Sequence, residues 1–233
     1  MRLLLARHGE SVWNGIRRFQ GATDVPLSEV GYDQARALGR ALRTYRVAAA
    51  YVSPLERARA TALTALGDTG VPLTPVDELR EFGLGEWEGR TIDEIRRRDG
   101  NPYRAWVRAP LDSPPPGAEP LDQVGRRVIR AFERIAAAHP NGDDVLVVAH
   151  GGVISVYACH VLGCSLNALW RLRIDNASLT VVTPPRLLTL NDTFHLEGAS
   201  VEIPERPSGG LAAAIDVLGG GVGRGAKPPS ETR

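Results

Sequence analysis

At 233 residues the chain is long enough to bury one full core, and a single domain is the expected organisation at that size. Its 28 Lys and Arg against 27 Asp and Glu leave a net charge of +1 with the signs interspersed, which excludes the footprint of a nucleic-acid or membrane-surface binder. Two cysteines, Cys159 and Cys164, are too few for a disulfide framework and read as reduced core thiols in a cytoplasmic protein.

The apolar run Leu3–Ala6 predicts a buried strand that ends directly in charge and is too short for a secretory signal. Arg7-His8-Gly9-Glu10 follows it. A charged cluster at a strand's end, with a glycine that lets backbone approach a ligand, is how a sheet presents a reactive side chain in a crevice. A surface loop with a stray histidine is the alternative reading at this point. Ser28 and Gly31 open a helix that carries Ala35, Leu38, Leu42 and Tyr45 on one face, and a strand over Ala48–Ser53 comes next. Pro54 starts a further helix with Ala58, Ala62 and Leu66 aligned, which sets Arg57 near its N-terminal end. Val71–Val76 predicts another strand.

Between Glu81 and Glu119 periodicity is weak while Trp87, Tyr103, Trp106 and Pro114-Pro115-Pro116 accumulate. This predicts an excursion over the sheet edge that forms a lid or specificity wall. The basic run Arg96-Arg97-Arg98 belongs in solvent. Leu121, Val124, Val128, Phe132 and Ile135 then mark a second amphipathic helix.

From Val145 to Trp170 there is no Lys, Arg, Asp or Glu, which matches the length of a membrane span. A β-branched strand Val145–Ala149, a turn at His150-Gly151-Gly152 and a buried helix Val153–Leu162 account for it better. His150 then repeats the position of His8. Strands at Leu179–Thr183 and Leu187–Leu190 complete the set, and the sequons at Asn176 and Asn191 carry no glycan in a cytoplasmic setting. His139 reads as a solvated helix end, His160 as a core histidine and His195 as structural.

Beyond Pro204 the chain is rich in Gly and Pro, with only Leu211–Leu218 able to form a short helix. The predicted division is therefore a catalytic domain over 1–203 and a mobile tail over 204–233. Gly219-Gly220-Gly221 lacks the preceding strand of a phosphate loop and reads as linker. No internal repeat is detectable. The alternation of strands and helices predicts a three-layer α/β/α sandwich with a mostly parallel central sheet.

Four blocks occur in order: Arg7-His8-Gly9-Glu10-Ser11-x-x-Asn14, Ser53-Pro54-Leu55-Glu56-Arg57-Ala58, Leu79-Arg80-Glu81 with Gly85-Glu86-Trp87-Glu88-Gly89, and Ala149-His150-Gly151-Gly152. Each follows or ends a predicted strand. Together they resemble the histidine phosphatase (phosphoglycerate mutase-like) superfamily, from Arg2 to about Leu196. The resemblance implies an enzyme of histidine acid phosphatase type with a pocket at the strand ends. His8 is then the nucleophile, and Arg7, Arg57, Asn14 and His150 offset the charge on the phosphoryl oxygens. Glu81 is the acid and base, and Gln20, Gly21 and Gly151 bind substrate.

These roles suit the residue types. An attacking imidazole needs a neutral nitrogen fixed by a hydrogen bond from the other one, and guanidinium binds two oxygens without losing its proton. No metal-ligand cluster or cofactor motif is present in the sequence, so none is expected. The expected partner is a small phosphomonoester, with no nucleic acid and no membrane, and a homodimer is left open.

The family's mutases carry Arg, Tyr and Lys at the first, third and eleventh positions after the catalytic Glu, where this chain has Phe82, Leu84 and Ile92. Apolar side chains cannot hold a carboxylate, which favours hydrolysis. Phe19-Gln20-Gly21, Asp24-Val25-Pro26-Leu27 and Arg108 keep some mutase character, so a cofactor-dependent phosphoglycerate mutase is the alternative. A non-catalytic phospho-ligand binding module is the second alternative, and it would have no use for Glu81. Ala118-Glu119-Pro120-Leu121 replaces the family's common Gly-Glu-Ser-Leu and puts the substrate wall near Glu119 in doubt. Selectivity is expected from Arg17, Arg18, Gln20, Phe82 and Trp106.

Overall fold

Strands and helices form where the apolar periodicities place them in the computed structural model, which describes residues 1–97, 101–140 and 142–197. The strands β1 (Arg2–Arg7), β2 (Val47–Val52), β3 (Leu73–Pro75), β4 (Asp144–Ala149), β5 (Leu179–Thr183) and β6 (Arg186–Asp192) make one six-stranded sheet, in the order β3-β2-β4-β1-β5-β6. The β3-β2-β4-β1 portion is parallel, and the β1-β5 and β5-β6 pairs are antiparallel. β1 and β4 pair without a slip from Arg2 opposite Asp144 to Arg7 opposite Ala149. Their C-terminal ends therefore finish side by side, and His8 and His150, each the next residue, become neighbours.

The helices are α1 (Val12–Gly15), α2 (Glu29–Leu42), α3 (Glu56–Leu66), α4 (Ile92–Arg96), α5 (Pro102–Arg108), α6 (Leu121–Ala138) and α7 (Gly151–Leu162). Side chains alternate across a strand, so β1 and β4 present Leu4, Ala6, Leu146 and Val148 to one face and Leu3, Leu5, Val145 and Val147 to the other. The first set packs with Leu38 of α2 and Ala58 and Ala62 of α3, the second with Val124 and Phe132 of α6 and Val153 of α7. This is the predicted three-layer sandwich. Full burial of each such Val or Leu contributes about 1.5–3 kcal/mol. Among the described residues no helix is long and apolar enough to cross a membrane. The charge-free stretch resolves into β4 and α7, as the residues predicted.

Several expectations are corrected. Tyr45 lies past the end of its helix. Trp87, Tyr103 and Trp106 are buried and join the same core cluster as Leu3 and Val145, so the excursion is part of the α6 and α7 layer rather than a cover over the sheet edge. Arg96 is half-buried and lies over the Tyr103 ring at 4.9 Å. Cys159 is buried as expected, but Cys164, just beyond the Gly163 cap of α7, is exposed. His160 is exposed in that helix's last turn, whereas His139 is half-buried and bonds the Tyr51 hydroxyl at 3.0 Å and Asp143 at 3.3 Å. The tail over 204–233, its Leu211–Leu218 helix, its glycine run and Arg98 lie outside the described residues.

The start of α2 is pressed against the loop that follows β1. A Cβ added at Gly31 would stand 2.0 Å from the Glu10 carbonyl oxygen, and one at Gly9 2.4 Å from the Gly31 carbonyl oxygen. Backbone meets backbone there, and no side chain can move aside. Gly31→Ala is expected to cost about 1–3 kcal/mol of stability, read as a lower urea midpoint at unchanged m-value. An unshifted midpoint would show that the contact is slack.

Candidate active site

Parallel strands end at a crevice, and in this sheet the crevice receives β1, β4 and the start of α3. His8 follows β1 and is 3% exposed. Its Nδ1 lies 2.6 Å from the Gly9 carbonyl oxygen. A carbonyl only accepts, so Nδ1 carries the proton and Nε2 keeps its lone pair. His150 sits beside it with ring centroids 5.1 Å apart, and its Nε2 is 2.7 Å from the Ser53 hydroxyl. The buried His150 Nδ1 has no partner among the described residues.

Two guanidinium groups enclose this pair. Arg7 donates from Nη1 to the Ile174 carbonyl at 2.6 Å, and Arg57 donates from Nη1 to Thr23 O at 2.8 Å and from Nη2 to Gly21 O at 2.9 Å. Each retains a buried Nε with no partner among the described residues. Asn14 accepts at Oδ1 from the Ser11 amide and from Asn176 Nδ2, both at 3.1 Å, which fixes its amide so that Nδ2 is free to donate. Gln20 accepts from the Ser11 hydroxyl at 2.8 Å.

Arg7, His8, Asn14, Gln20, Gly21, Arg57 and Glu81 line one pocket of about 400 Å³ including its open mouth, together with Arg18, Phe19, Phe82 and Leu84. Gly151 lines a neighbouring chamber that shares Arg7 and Glu81 with this pocket. Glu81 accepts at Oε2 from the Gly152 amide at 3.0 Å and at Oε1 from the Phe82 amide at 3.2 Å. A Cβ at Gly152 would fall 2.3 Å from Phe82 and 2.6 Å from Glu81 Oε1, so only glycine admits this approach.

Arg18, Gln20 and Phe82 reach the pocket as predicted. Arg17 is exposed and is not among its lining residues, and Trp106 is buried in the aromatic core. Glu119 does not line the pocket either. It forms a two-pronged ion pair with Arg127, whose Nη1 also donates to the carbonyls of Glu78 and Arg80 at 2.7 and 2.9 Å. The pair holds the backbone just before Glu81.

Other residues went unrecognised in the sequence. Asn176, seen there only as a sequon, donates to the carbonyls of His8 at 3.1 Å and Gly9 at 3.2 Å. Thr61 accepts from the Gly9 amide at 2.9 Å. Its place one turn after Arg57 on α3 is the only sequence signal for it. His195 bonds the Ala177 carbonyl at 3.0 Å, in keeping with a structural role.

A model of the histidine phosphatase superfamily, branch 1, matches residues 3–188. The chain belongs to that superfamily. Phosphoserine phosphatase 1 of Hydrogenobacter thermophilus is 34% identical over 206 residues, covering 87% of this chain and 97% of the relative. Among solved structures, Bacillus stearothermophilus YhfR superposes with a TM-score of 0.78 at 35% identity, over 84% of this chain and 99% of that one. A mycobacterial glucosyl-3-phosphoglycerate phosphatase in complex with VO3 gives a TM-score of 0.77 at 30% identity, over 82% and 99% respectively.

Within this histidine phosphatase pocket, charge and burial set the protonation states. Burial, then the Arg57 and Arg7 charges, push His8 well below the usual histidine value, against the Gly9 bond that raises it. His150 is lowered well below that value by burial and by Arg57. Burial lowers Arg57 to about 10, still cationic at neutral pH. Burial raises Glu81, opposed by the Gly152 amide and the Arg57 charge. Burial would likewise raise Glu119, but the Arg127 hydrogen bonds and charge, the Arg80 charge and the Gly83 amide together outweigh it and hold that carboxylate low.

A depressed histidine binds fewer protons folded than unfolded, so stability rises with pH until the unfolded value near 6.5 is passed. Glu81, being raised, acts in the opposite sense: its contribution is full below its unfolded value and is lost as pH climbs through the folded one. Urea unfolding between pH 5 and 7 is therefore expected to show stability increasing with pH, and His150→Gln should flatten that slope. An unchanged slope in the variant would show that His150 is not held neutral.

Proposed function

We propose that this histidine phosphatase hydrolyses a small phosphomonoester through a phosphohistidine at His8, with chemistry of the histidine acid phosphatase type and no metal. The observation that carries the reading is the single tautomer of His8: Nδ1–H is committed to Gly9 O at 2.6 Å, so the Nε2 lone pair remains for phosphorus. Its depressed basicity keeps it unprotonated near neutral pH.

The reaction divides into two steps that share one carboxyl group. In the first, Nε2 attacks phosphorus, the bond to the ester oxygen breaks, and Glu81 gives its proton to the departing alkoxide. In the second, the Glu81 carboxylate takes a proton from water, the water oxygen attacks phosphorus, and the N–P bond breaks to release phosphate and restore neutral His8. The raised basicity of Glu81 suits both directions, and a bound phosphate dianion raises it further. Arg7, Arg57, the Asn14 amide and His150 meet the charge on the equatorial oxygens, which is the largest requirement of phosphoryl transfer. Gln20, Gly21 and Gly151 shape the substrate's surroundings.

Hydrolysis is favoured over phosphoglycerate mutase activity by the wall itself. Phe82 and Leu84 line the pocket, while Ile92 is buried, so none of the three offers a carboxylate a partner. The phosphatase names of two of the three relatives described above support the same direction. A pure binding module would have no use for an acid held against the Gly152 amide. A chain with only two cysteines, too few for a disulfide framework, supports placing the protein in the cytoplasm, and we read residues 1–203 as the catalytic unit.

Three measurements test the reading. His8→Ala should abolish turnover of nitrophenyl phosphate, and quenched wild type alone should carry acid-labile, base-stable phosphate. Label trapped on any other residue overturns the mechanism. EDTA should leave the rate unchanged, because side-chain cations supply the charge balance; loss restored by added metal would refute this. Glu81→Gln should slow the phosphorylation burst about a hundredfold to ten-thousandfold for alkyl phosphates, whose alkoxide needs a proton. The loss should be far smaller for nitrophenyl phosphate. Equal losses for both esters would reassign Glu81 to positioning.

A further inference from the structure

Glu88 lies outside the residues given a role above, yet its carboxylate is among the most heavily engaged near the pocket. Oε1 accepts from the Ala22 amide at 3.0 Å and the Leu84 amide at 2.8 Å, and Oε2 accepts from the Thr23 hydroxyl. One carboxylate thus ties the segment 21–24 to the segment 82–84. The two segments are far apart in sequence, and neither has a regular element to hold it over the pocket.

The first of these segments supplies the acceptors that aim Arg57. Its Nη1 and Nη2 donate to the carbonyls of Thr23 and Gly21, the residues on either side of Ala22. Gly21 is in the left-handed region at φ +54°, and a Cβ there would stand 2.2 Å from Glu88 Oε1. The glycine is therefore required by the carboxylate as well as by the turn. The second segment carries Phe82 and Leu84, the apolar pocket wall, directly after Glu81.

We propose that Glu88 is a positioning residue for transition-state binding: it fixes the Gly21 and Thr23 carbonyls that aim the Arg57 guanidinium at the phosphoryl oxygens. The proposal rests on the role given to Arg57 under the proposed function. Charge–charge attraction between Glu88 and Arg57 acts in the same sense, steadying the buried cation. Phe19 pairs with Arg90 and Gly89 through two backbone bonds of 2.9 Å, and Asp24 Oδ1 accepts from the Glu56 amide at 2.8 Å, so removing the carboxylate leaves the chain anchored on both sides and loosens only the carbonyls between.

The test is a double-mutant cycle on the full chain with Glu88→Ala, Arg57→Ala and the combined variant, reading vanadate inhibition, nitrophenyl phosphate kinetics and the thermal midpoint. Misplacing one catalytic group by an ångström costs on the order of a hundredfold, so Glu88→Ala should lower kcat/KM and weaken vanadate by the same factor of about ten to a hundred. In the Arg57→Ala background the same substitution should change either quantity by no more than about twofold, the ordinary limit for independent sites. Thr23→Val, which removes one donor to Glu88 at little change in volume, should give a smaller loss that also vanishes without Arg57; it replaces Glu88→Ala if that variant does not fold. Additive losses overturn the proposal, as does a loss of kcat/KM with vanadate affinity unchanged. If Arg57→Ala alone leaves vanadate binding intact, the Arg57 role fails first and this inference with it.

Discussion

The burial of two guanidinium groups beside a histidine that must stay neutral is the constraint around which the rest is arranged. Arg7 and Arg57 are almost fully buried, and desolvation of such a charge is costly unless acceptors surround it. The structure supplies them as backbone carbonyls: Ile174 for Arg7, Gly21 and Thr23 for Arg57. Carbonyls hold a guanidinium without cancelling its charge. A carboxylate pressed onto either arginine would neutralise the field that a phosphate dianion needs. Glu81, the proposed acid, lines both cavities and is turned to the amides of Gly152 and Phe82 rather than into an ion pair with either arginine.

The same field selects the state of His8. With its ring almost fully buried and two cations nearby, protonation is disfavoured, and the Gly9 carbonyl fixes which nitrogen keeps the proton. That carbonyl is itself held. Asn176 donates to the Gly9 and His8 carbonyls, Thr61 receives the Gly9 amide, and the Gly31 backbone blocks any outward movement. The nucleophilic role proposed for His8 needs that peptide immobile, in keeping with two helices and a turn converging on residues 8 and 9.

The sheet, the paired histidines and the helix faces were legible in the sequence because period-two and helical periodicities are local, and because β1 and β4 carry uninterrupted apolar runs. The places of His8 and His150 at strand ends follow from that alone, whereas their proposed roles rest on the family resemblance. Glu81 did not, and it was placed only by family resemblance. It lies in a stretch with no period, where position is decided by the Arg127–Glu119 pair and the Gly152 amide, both distant in sequence. Asn176 was invisible for the same reason, since its bonds reach back to residues 8, 9 and 14. His160 and Cys164 were assigned to the core because α7 is apolar nearly throughout, but its last turn and cap reach the surface.

The excursion after Glu81 shows what replaces periodicity when a chain must be both irregular and rigid. Its aromatic residues supply bulk, with Trp106 packed 5.3 Å from Trp87 and 4.6 Å from Trp170 between ring centroids, but ring packing tolerates sliding. Directional bonds remove that freedom. Glu119, through Arg127, grips the carbonyls just before Glu81, and Glu88 grips the amide of Leu84 just after it. The Glu81 carboxyl is suspended between two charged clamps with Gly152 behind it. A segment fixed at both ends in this way can vary its outward residues without moving the carboxyl proposed to protonate alkoxide leaving groups.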